Sequence, residues 1–436
     1  MKGIPNKDNF PNIIGYEDVK KSLNRILDVI RNPEKYAKLG VRIPHGLILV
    51  GEPGIGKSSL AKEFIKATNR KSYVIRKARS NGSFISNLNY IFNKAKCNTP
   101  SIIFLDDIDR FSDTNHENTN SDEYIAIQSL IDSVADYDVF IIATANDIDC
   151  LPNSLLRAGR FDNKFSLKVP TGKEAEQIIE YYLKNKNVAQ DICANDIAQI
   201  LSNQSCAVLE KVVNEAGIIA GYQNHTAITQ EDMIKASLSI KYDIPIDNKV
   251  NSSKYLLETA YHEAGHALVA ELLEPSSISY ISAIEYSDDL KGLTVYKENE
   301  HYLKDFKYQE NRLKALLAGK ATTELVFGKV DVGANSDMNR AYTLCNKMID
   351  DYTMYGFDTH VYECRYSESI RANIEDKIKT IISVYYREVM SILRTNRDLL
   401  DKIAHELAKR GILFSRDINE IKANYLKGVN YERTNN

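Results

Sequence analysis

Residues 51–58 read Gly51-Glu52-Pro53-Gly54-Ile55-Gly56-Lys57-Ser58. The stretch follows an apolar run, Gly46-Leu47-Ile48-Leu49-Val50, and leads into Ser59-Leu60-Ala61-Lys62-Glu63-Phe64-Ile65, which has helical spacing. G-x-x-x-x-G-K-S between a strand and a helix is a phosphate-binding loop. Its glycines let successive backbone N–H groups turn inward around phosphate oxygens, and the helix N-terminus adds a favourable field. The candidate nucleotide-binding residues are Gly51, Gly54, Gly56, Lys57, Ser58 and Ser59. Lys57 is expected to reach the β- and γ-phosphates and Ser58 to ligate Mg2+, so ATP and Mg2+ are the implied ligands. The fold class implied for this part is α/β, a parallel sheet with flanking helices.

Downstream, Ser101-Ile102-Ile103-Phe104-Leu105 reads as a buried strand that delivers Asp106 and Asp107 at its C-terminal end. After a phosphate loop, such acids serve the nucleotide: Asp106 is expected to hold magnesium through its water shell, and Asp107 to orient the attacking water. A further strand, Val139–Ala145, ends at Asn146, whose side chain can touch the γ-phosphate or that water. Next comes Leu155-Leu156-Arg157-Ala158-Gly159-Arg160-Phe161-Asp162. Arg157 and Arg160 can project guanidiniums across a subunit boundary, and arginine suits the charge that builds on a transferred phosphoryl group. Upstream, Val19, Leu23, Ile26, Leu27 and Ile30 share one face of a helix over 17–30, which Pro33 ends or restarts. A second strand is expected at 73–76, with helices at 84–97 and 123–135.

The order of GEPGIGKS, IIFLDDID, ATAND and LLRAGRFD resembles an AAA+ ATPase, and the flanking text is similar to the FtsH family, the bacterial AAA+ zinc proteases. Asn32-Pro33-Glu34-Lys35-Tyr36 and Leu39-Gly40 resemble that family's helix before the phosphate loop. The resemblance implies that Ile14 and Gly15 lie near the adenine and that Asn146 is the first sensor residue. It also implies that Arg157 and Arg160 are arginine fingers acting in trans in a ring, usually a hexamer. It makes the helices expected at 173–184, 195–202, 207–221 and 229–240 a small helical lid, with Val212-Val213-Asn214-Glu215-Ala216 matching that lid's text and Cys206-Ala207 falling at its second sensor region. Residues 241–253 carry proline and polar residues without a period and read as a linker. The organisation is thus a nucleotide-binding domain over 1–170, a lid over 171–240, a linker over 241–253 and a last domain over 254–436.

That last domain is organised around Tyr261-His262-Glu263-Ala264-Gly265-His266. A helix capped by Ser252 or Ser253 and running to 273 would bury Leu257, Ala260, Tyr261, Ala264, Leu268 and Val269. His262 and His266 are four apart, so one helical face presents both imidazoles to one Zn2+. Glu263 is placed to take a proton from the attacking water and pass it to the leaving amine. A catalytic zinc takes a third protein ligand, and residue types alone leave many acids open. The resemblance implies Asp337, in Val332-Gly333-Ala334-Asn335-Ser336-Asp337-Met338. Glu324, in Thr322-Thr323-Glu324-Leu325-Val326-Phe327-Gly328, matches a glutamate of the family's downstream signature and is expected beside the ligands, or in place of Asp337. The remainder over 306–430 reads as a helical bundle, with helices near 306–318, 336–352, 369–394, 396–409 and 415–427.

A net charge of −3 and a pI near 6.3 give no basic field for nucleic acid. No apolar run approaches the roughly 20 residues of a membrane helix, and the N-terminus lacks a signal-peptide core. The six cysteines (97, 150, 193, 206, 345 and 364) are scattered without a C-x-x-C pair, which suits a reducing cytoplasm. Three departures from the family stand out. The family begins with membrane helices, whereas this sequence begins at the ATPase domain. Asp107 stands where the family has glutamate, one methylene longer, so slower ATP turnover is expected. The family's aromatic pore loop is shortened to Arg79-Ser80-Asn81-Gly82-Ser83-Phe84, so the gripping aromatic is expected to be absent unless Phe84 substitutes for it. The expectation is a cytoplasmic, ring-forming AAA+ ATPase, a homohexamer, joined to a mainly α-helical zinc metalloprotease domain that cleaves protein substrates. Two alternatives stay open: a remodelling ATPase with an idle or structural zinc centre, and a nucleotide-gated peptidase for unfolded chains only.

Overall fold

The computed structural model describes residues 9–40, 44–77, 83–111, 122–157, 159–243, 256–284, 292–297, 305–329, 335–356 and 368–435. The chain separates into two compact units, Met1–Ser237 and Leu238–Asn436. The linker read at 241–253 lies almost wholly outside the described residues, as do Ser252 and Ser253 and most of the shortened pore loop.

The first unit holds a five-stranded parallel sheet in the order β2-β3-β4-β1-β5, with β1 Gly46–Val50, β2 Lys71–Ile75, β3 Ser101–Leu105, β4 Val139–Ala145 and β5 Asn163–Ser166. β3 and β4 are buried along their whole length, which is why they read as unbroken apolar runs. The helices are α1 Glu17–Arg31, α2 Pro33–Ala37, α3 Lys57–Thr68, α4 Ser83–Lys96 and α5 Asp122–Ser133. One core joins α1 and α3 to one sheet face through Leu23, Leu27, Phe64, Leu49 and Phe104. A second, on the other face, joins α4 and α5 through Leu88, Phe92, Ile127 and Ile103. The register sets β3, β4 and β1 side by side with Leu105 opposite Ala143 and Val50 opposite Ala145. The phosphate loop, Asp106 and Asn146 therefore leave neighbouring strands at the same carboxyl edge, where open α/β sheets bind ligands. β5, a polar four-residue edge strand, escaped the sequence reading because only half of it is shielded.

The lid helices are α6 Gly172–Leu183, α7 Ala194–Ile200, α8 Cys206–Tyr222 and α9 Gln230–Tyr242. α6 begins with a capping box: Glu174 reaches the Thr171 backbone N–H at 2.8 Å. The start of α8 rests on the phosphate loop, with Ala207 N–H donating to the Gly54 carbonyl at 2.9 Å.

The second unit is built on α10 Leu256–Leu273, α11 Phe306–Phe327, α12 Asn335–Ile349, α13 Glu368–Thr395, α14 Arg397–Arg410 and α15 Ser415–Asn435. Leu268, Leu313, Leu317, Met348, Val389 and Leu400 share its core. Two expectations are corrected here. Leu257 faces solvent at 40 % exposure instead of lining the buried side of α10. The stretch over 306–430 is not purely helical, for β8 Ile412–Phe414 joins β6 Ile278–Ser282 and β7 Leu293–Tyr296 in an antiparallel sheet ordered β7-β6-β8. Three residues are too few for a period, so β8 is defined only by its partner strand. Among the described residues no helix is long and apolar enough to cross a membrane.

Candidate functional site

The nucleotide residues converge at the carboxyl edge of the parallel sheet. Gly54 and Gly56 adopt φ of 80° and 93°, a left-handed backbone that side-chain-bearing residues avoid. Lys57 is buried, and its ammonium donates to the Gly51 and Glu52 carbonyls at 2.7 and 2.8 Å and to Asn146 Oδ1 at 2.8 Å. Burial lowers its pKa, while the nearby Asp107, Asp109 and Asp106 oppose that fall. Ser58 Oγ donates to Asp106 Oδ1 at 2.7 Å, so the two expected magnesium residues already meet. Burial acts to raise the Asp106 pKa, but bonds from Thr144, Ser58 and Arg76 outweigh it and hold the carboxyl below its ordinary range. Asp107 lies at a φ of 56°, its N–H donating to Thr144 Oγ1 at 2.9 Å. Ser59 is exposed at the helix start. Gly15, at a φ of 74°, packs on Glu174 of the lid, and Ile14 precedes it half-buried. The neighbouring Tyr16 hydroxyl donates to the Ile55 and Lys168 carbonyls, each at 2.9 Å.

The two arginines differ. Arg157 is exposed, whereas Arg160 is tied within its own subunit to Asp132 by two bonds of 2.9 and 2.7 Å and to the Ser154 carbonyl at 2.7 Å. Phe84 does not take the gripping role suggested for it: it is 6 % exposed and packs edge-on against Phe111, ring centroids 5.0 Å apart. An aromatic at the start of α4 faces the core because the helical stripe that includes Leu88 and Phe92 carries it there.

In the second unit, α10 presents His262 and His266 on one face, and α12 brings Asp337 to them. His262 Nε2 and His266 Nε2 lie 3.0 and 3.1 Å from Asp337 Oδ2 and 3.1 Å from each other. Among the described residues these three form a cluster able to hold a metal ion. Ligand atoms at zinc distances of 2.0–2.1 Å in tetrahedral geometry stand about 3.3 Å apart, so the triangle is close to the required size. His266 Nδ1–H donates to the Ala315 carbonyl at 2.7 Å, which leaves Nε2 to face the other donors. Burial opposes a charged His266, yet its contacts with Asp337 hold the imidazole up at about 9. Burial likewise pushes Asp337 up, and the two histidines overcome it and hold the carboxyl well below the usual range. Donors that draw a positive charge between them fit a divalent cation. Glu324 is not among them: its Oε2 accepts from the Tyr386 hydroxyl at 2.5 Å, so its expected place as an alternative ligand is corrected.

Glu263 is 7 % exposed, and its Oε2 accepts from Thr294 Oγ1 of β7 at 2.6 Å. Two glycines make room for this centre. A Cβ at Gly319 of α11 would fall 2.4 Å from His266 Nε2 and 2.5 Å from His262 Nε2. One at Gly265 would fall 2.0 Å from Thr322 Oγ1. Thr144, Asp109, Arg76, Thr294 and Gly319 were all missed by sequence reasoning. Asp109 Oδ2 accepts from Asn146 Nδ2 at 3.0 Å. Its signal was present, two residues beyond Asp107; the others act through neighbours that are remote in sequence.

Comparison with known proteins bears on both centres. Residues 47–169 match the ATPase family associated with various cellular activities (AAA), and residues 249–421 match peptidase family M41. The FtsH 1 ATP-dependent zinc metalloprotease of Thermomicrobium roseum is 30 % identical over 437 residues, covering 94 % of this chain and 67 % of that protein. This chain belongs to the FtsH family of ATP-dependent zinc metalloproteases. Zn2+, ATP and Mg2+ are its cofactors and proteolysis is its activity. The FtsH of Caldicellulosiruptor bescii is 29 % identical over 450 residues, covering 97 % of this chain and 73 % of the relative. That of Thermus thermophilus is 28 % identical over 443 residues, covering 95 % and 70 %.

Proposed function

We propose that the two centres work as follows. Residues 1–170 form the nucleotide-binding domain, 171–240 its lid and 254–436 the peptidase domain. ATP binds with its phosphates in the loop of Gly51, Gly54, Gly56, Lys57, Ser58 and Ser59, and its adenine near Ile14 and Gly15. Lys57 leaves its carbonyl partners for the β- and γ-phosphates. Ser58 and Asp106 hold Mg2+, Asp107 orients the attacking water, and Asn146 senses the γ-phosphate. Arg157 acts in trans on the neighbouring subunit of a homohexameric ring. Arg160 reaches the same place only by releasing Asp132. The location is cytoplasmic, which the scattered cysteines support, and the substrates are proteins.

His262, His266 and Asp337 hold Zn2+, which supplies Lewis-acid polarisation of the scissile carbonyl and lowers the pKa of water. Glu263 takes the proton of the attacking water and returns it to the leaving amine. Thr294 holds one of its oxygens and so orients the carboxylate. β7 is the edge strand of its sheet among the described residues, and an extended substrate adds to it as a further strand. The observation that carries the reading is the triangle of 3.0–3.1 Å between the three donor atoms, with Glu263 one residue from His262.

The test is degradation of an unstructured protein with ATP and zinc, comparing wild type with Glu263→Gln. The variant keeps stoichiometric zinc and loses degradation by about a hundredfold or more. Degradation by neither protein, with zinc bound to both, would overturn the assignment of this centre as the working peptidase site.

A further inference from the structure

Asp106 is held by four donor contacts. Oδ1 accepts from Ser58 Oγ and Thr144 Oγ1, each at 2.7 Å. Oδ2 accepts from Arg76 Nε at 2.6 Å and from Arg76 Nη2. Hydroxyls around a magnesium carboxylate are unremarkable, since they orient it without adding charge. A guanidinium is a different matter. It neutralises the carboxylate that the magnesium ion needs, and its planar fork does so with two bonds from one face.

The sheet puts it there. β2 and β3 run parallel with Ile75 opposite Leu105, and the Asp106 N–H donates to the Ile75 carbonyl at 3.0 Å. Residue 76 therefore leaves its strand beside residue 106 whatever its side chain, and this chain has arginine at that place. The exposures of the pair are unequal: the Arg76 side chain is 60 % exposed and that of Asp106 0 %. The guanidinium can swing into water and be solvated at once. The carboxylate cannot follow it, and a buried carboxylate left without a cation is costly. A second cation is thus required at the moment the first departs.

We propose that Arg76 is a resident cation on the magnesium carboxylate, displaced when Mg2+ and ATP enter, and that it raises the Mg2+ concentration at which the site engages nucleotide. The proposal rests on the reading of Asp106 as the magnesium residue. Two positive charges compete for one carboxylate, so removing the guanidinium favours the ion. Arg76 on this view acts through Asp106, as a competitor of magnesium, and it affects the metal-bound form of the nucleotide alone.

The experiment measures binding of a fluorescent ATP analogue to the full chain across a series of free Mg2+ concentrations, with a parallel arm in EDTA. Wild type, Arg76→Gln and Arg76→Lys are compared. Arg76→Gln is expected to lower the half-saturating Mg2+ concentration roughly five- to tenfold. Arg76→Lys, which keeps the charge and loses the fork, is expected to lower it about two- to threefold, and it carries the test should the glutamine variant not fold. Affinity in EDTA is expected to be the same for all three. An unaltered half-saturating concentration in the variants overturns the proposal and leaves Arg76 as a tie between β2 and β3. An equal shift with and without Mg2+ also overturns it, by showing that Arg76 acts on the nucleotide itself. If Mg2+ does not strengthen binding to wild type at all, the reading of Asp106 fails as well, a result distinct from both.

Discussion

Gly319 shows how one residue can decide the proposed zinc site without touching the chemistry. Alanine in mid-helix is ordinarily more stable than glycine by about 0.5–1 kcal/mol. Here the added methyl would stand 2.4–2.5 Å from the imidazole nitrogens of His262 and His266. Gly319→Ala is therefore expected to lower the unfolding temperature of the second unit, to cut zinc per chain, and to reduce peptidase rate by about a hundredfold, the scale of a 1 Å misplacement. Metal analysis and thermal unfolding measured together check it, since a rise in stability with full zinc would contradict the close packing. Asp107 is the corresponding residue of the nucleotide site. Its carboxylate is one methylene shorter than the glutamate expected there, so Asp107→Glu should raise the steady-state ATPase rate several-fold while leaving nucleotide affinity alone. A rate no higher than wild type would argue that the loop at 107, with its φ of 56°, already compensates.

At the scale of elements, helices were legible because their apolar stripes are long. α1, α4, α5 and the lid helices fall within two residues of where periodicity places them. Three helices of the second unit depart further: α11 runs to Phe327 where the reading stopped at 318, α15 runs to Asn435 where it stopped at 427, and α12 ends at Ile349 where it went on to 352. The glycine that ends α11 is Gly328, at a φ of 64°, and Gly319 lies inside the helix. The mid-helix glycine is there for contact with α10, which no local pattern reveals. The lid offers a pH test of its own. At the start of α9, Asp232 Oδ2 accepts from Thr229 N–H at 2.9 Å, from Thr229 Oγ1 at 2.7 Å and lies 3.0 Å from His225 Nδ1. Burial acts to raise its pKa, but these partners outweigh it and hold the carboxyl below its ordinary range. A depressed carboxylate contributes stability that is complete above its unfolded pKa of about 3.9 and is lost as pH falls through the folded value. The lid's unfolding temperature should thus be flat from neutrality to about pH 5 and fall below about pH 4. Asp232→Asn should lower the plateau and flatten the acid limb, as read by circular dichroism melts across pH.

For the whole molecule, the unequal state of the two arginines makes a prediction about assembly. Arg157 is exposed and Arg160 is held by Asp132 and the Ser154 carbonyl. If Arg157 serves the neighbouring subunit, Arg157→Ala should lower ATPase activity about a thousandfold while leaving nucleotide binding intact. Mixing it with Lys57→Ala chains, which supply Arg157 but cannot bind ATP, should restore part of the activity. No restoration on mixing would place the arginine in its own subunit's site. Arg160→Ala should differ by destabilising the first unit, because it removes an ion pair that braces α5.

What the sequence determined by itself was set by short-range chemistry. A phosphate loop needs its glycines, lysine and serine within eight residues, and a helix that carries two zinc ligands needs its histidines four apart. Each motif is complete within eight consecutive residues. The strand-end acids and Asn146 were legible for the related reason that buried parallel strands are unbroken apolar runs. The tertiary structure alone decided what surrounds those groups. Thr144 and Arg76 reach Asp106 because three strands share a register, Thr294 reaches Glu263 across the sheet edge, and Gly319 admits the imidazoles because two helices cross there. Each is a contact between residues some 30 to 57 positions apart, and contacts at that distance follow from packing, which leaves no local pattern to read.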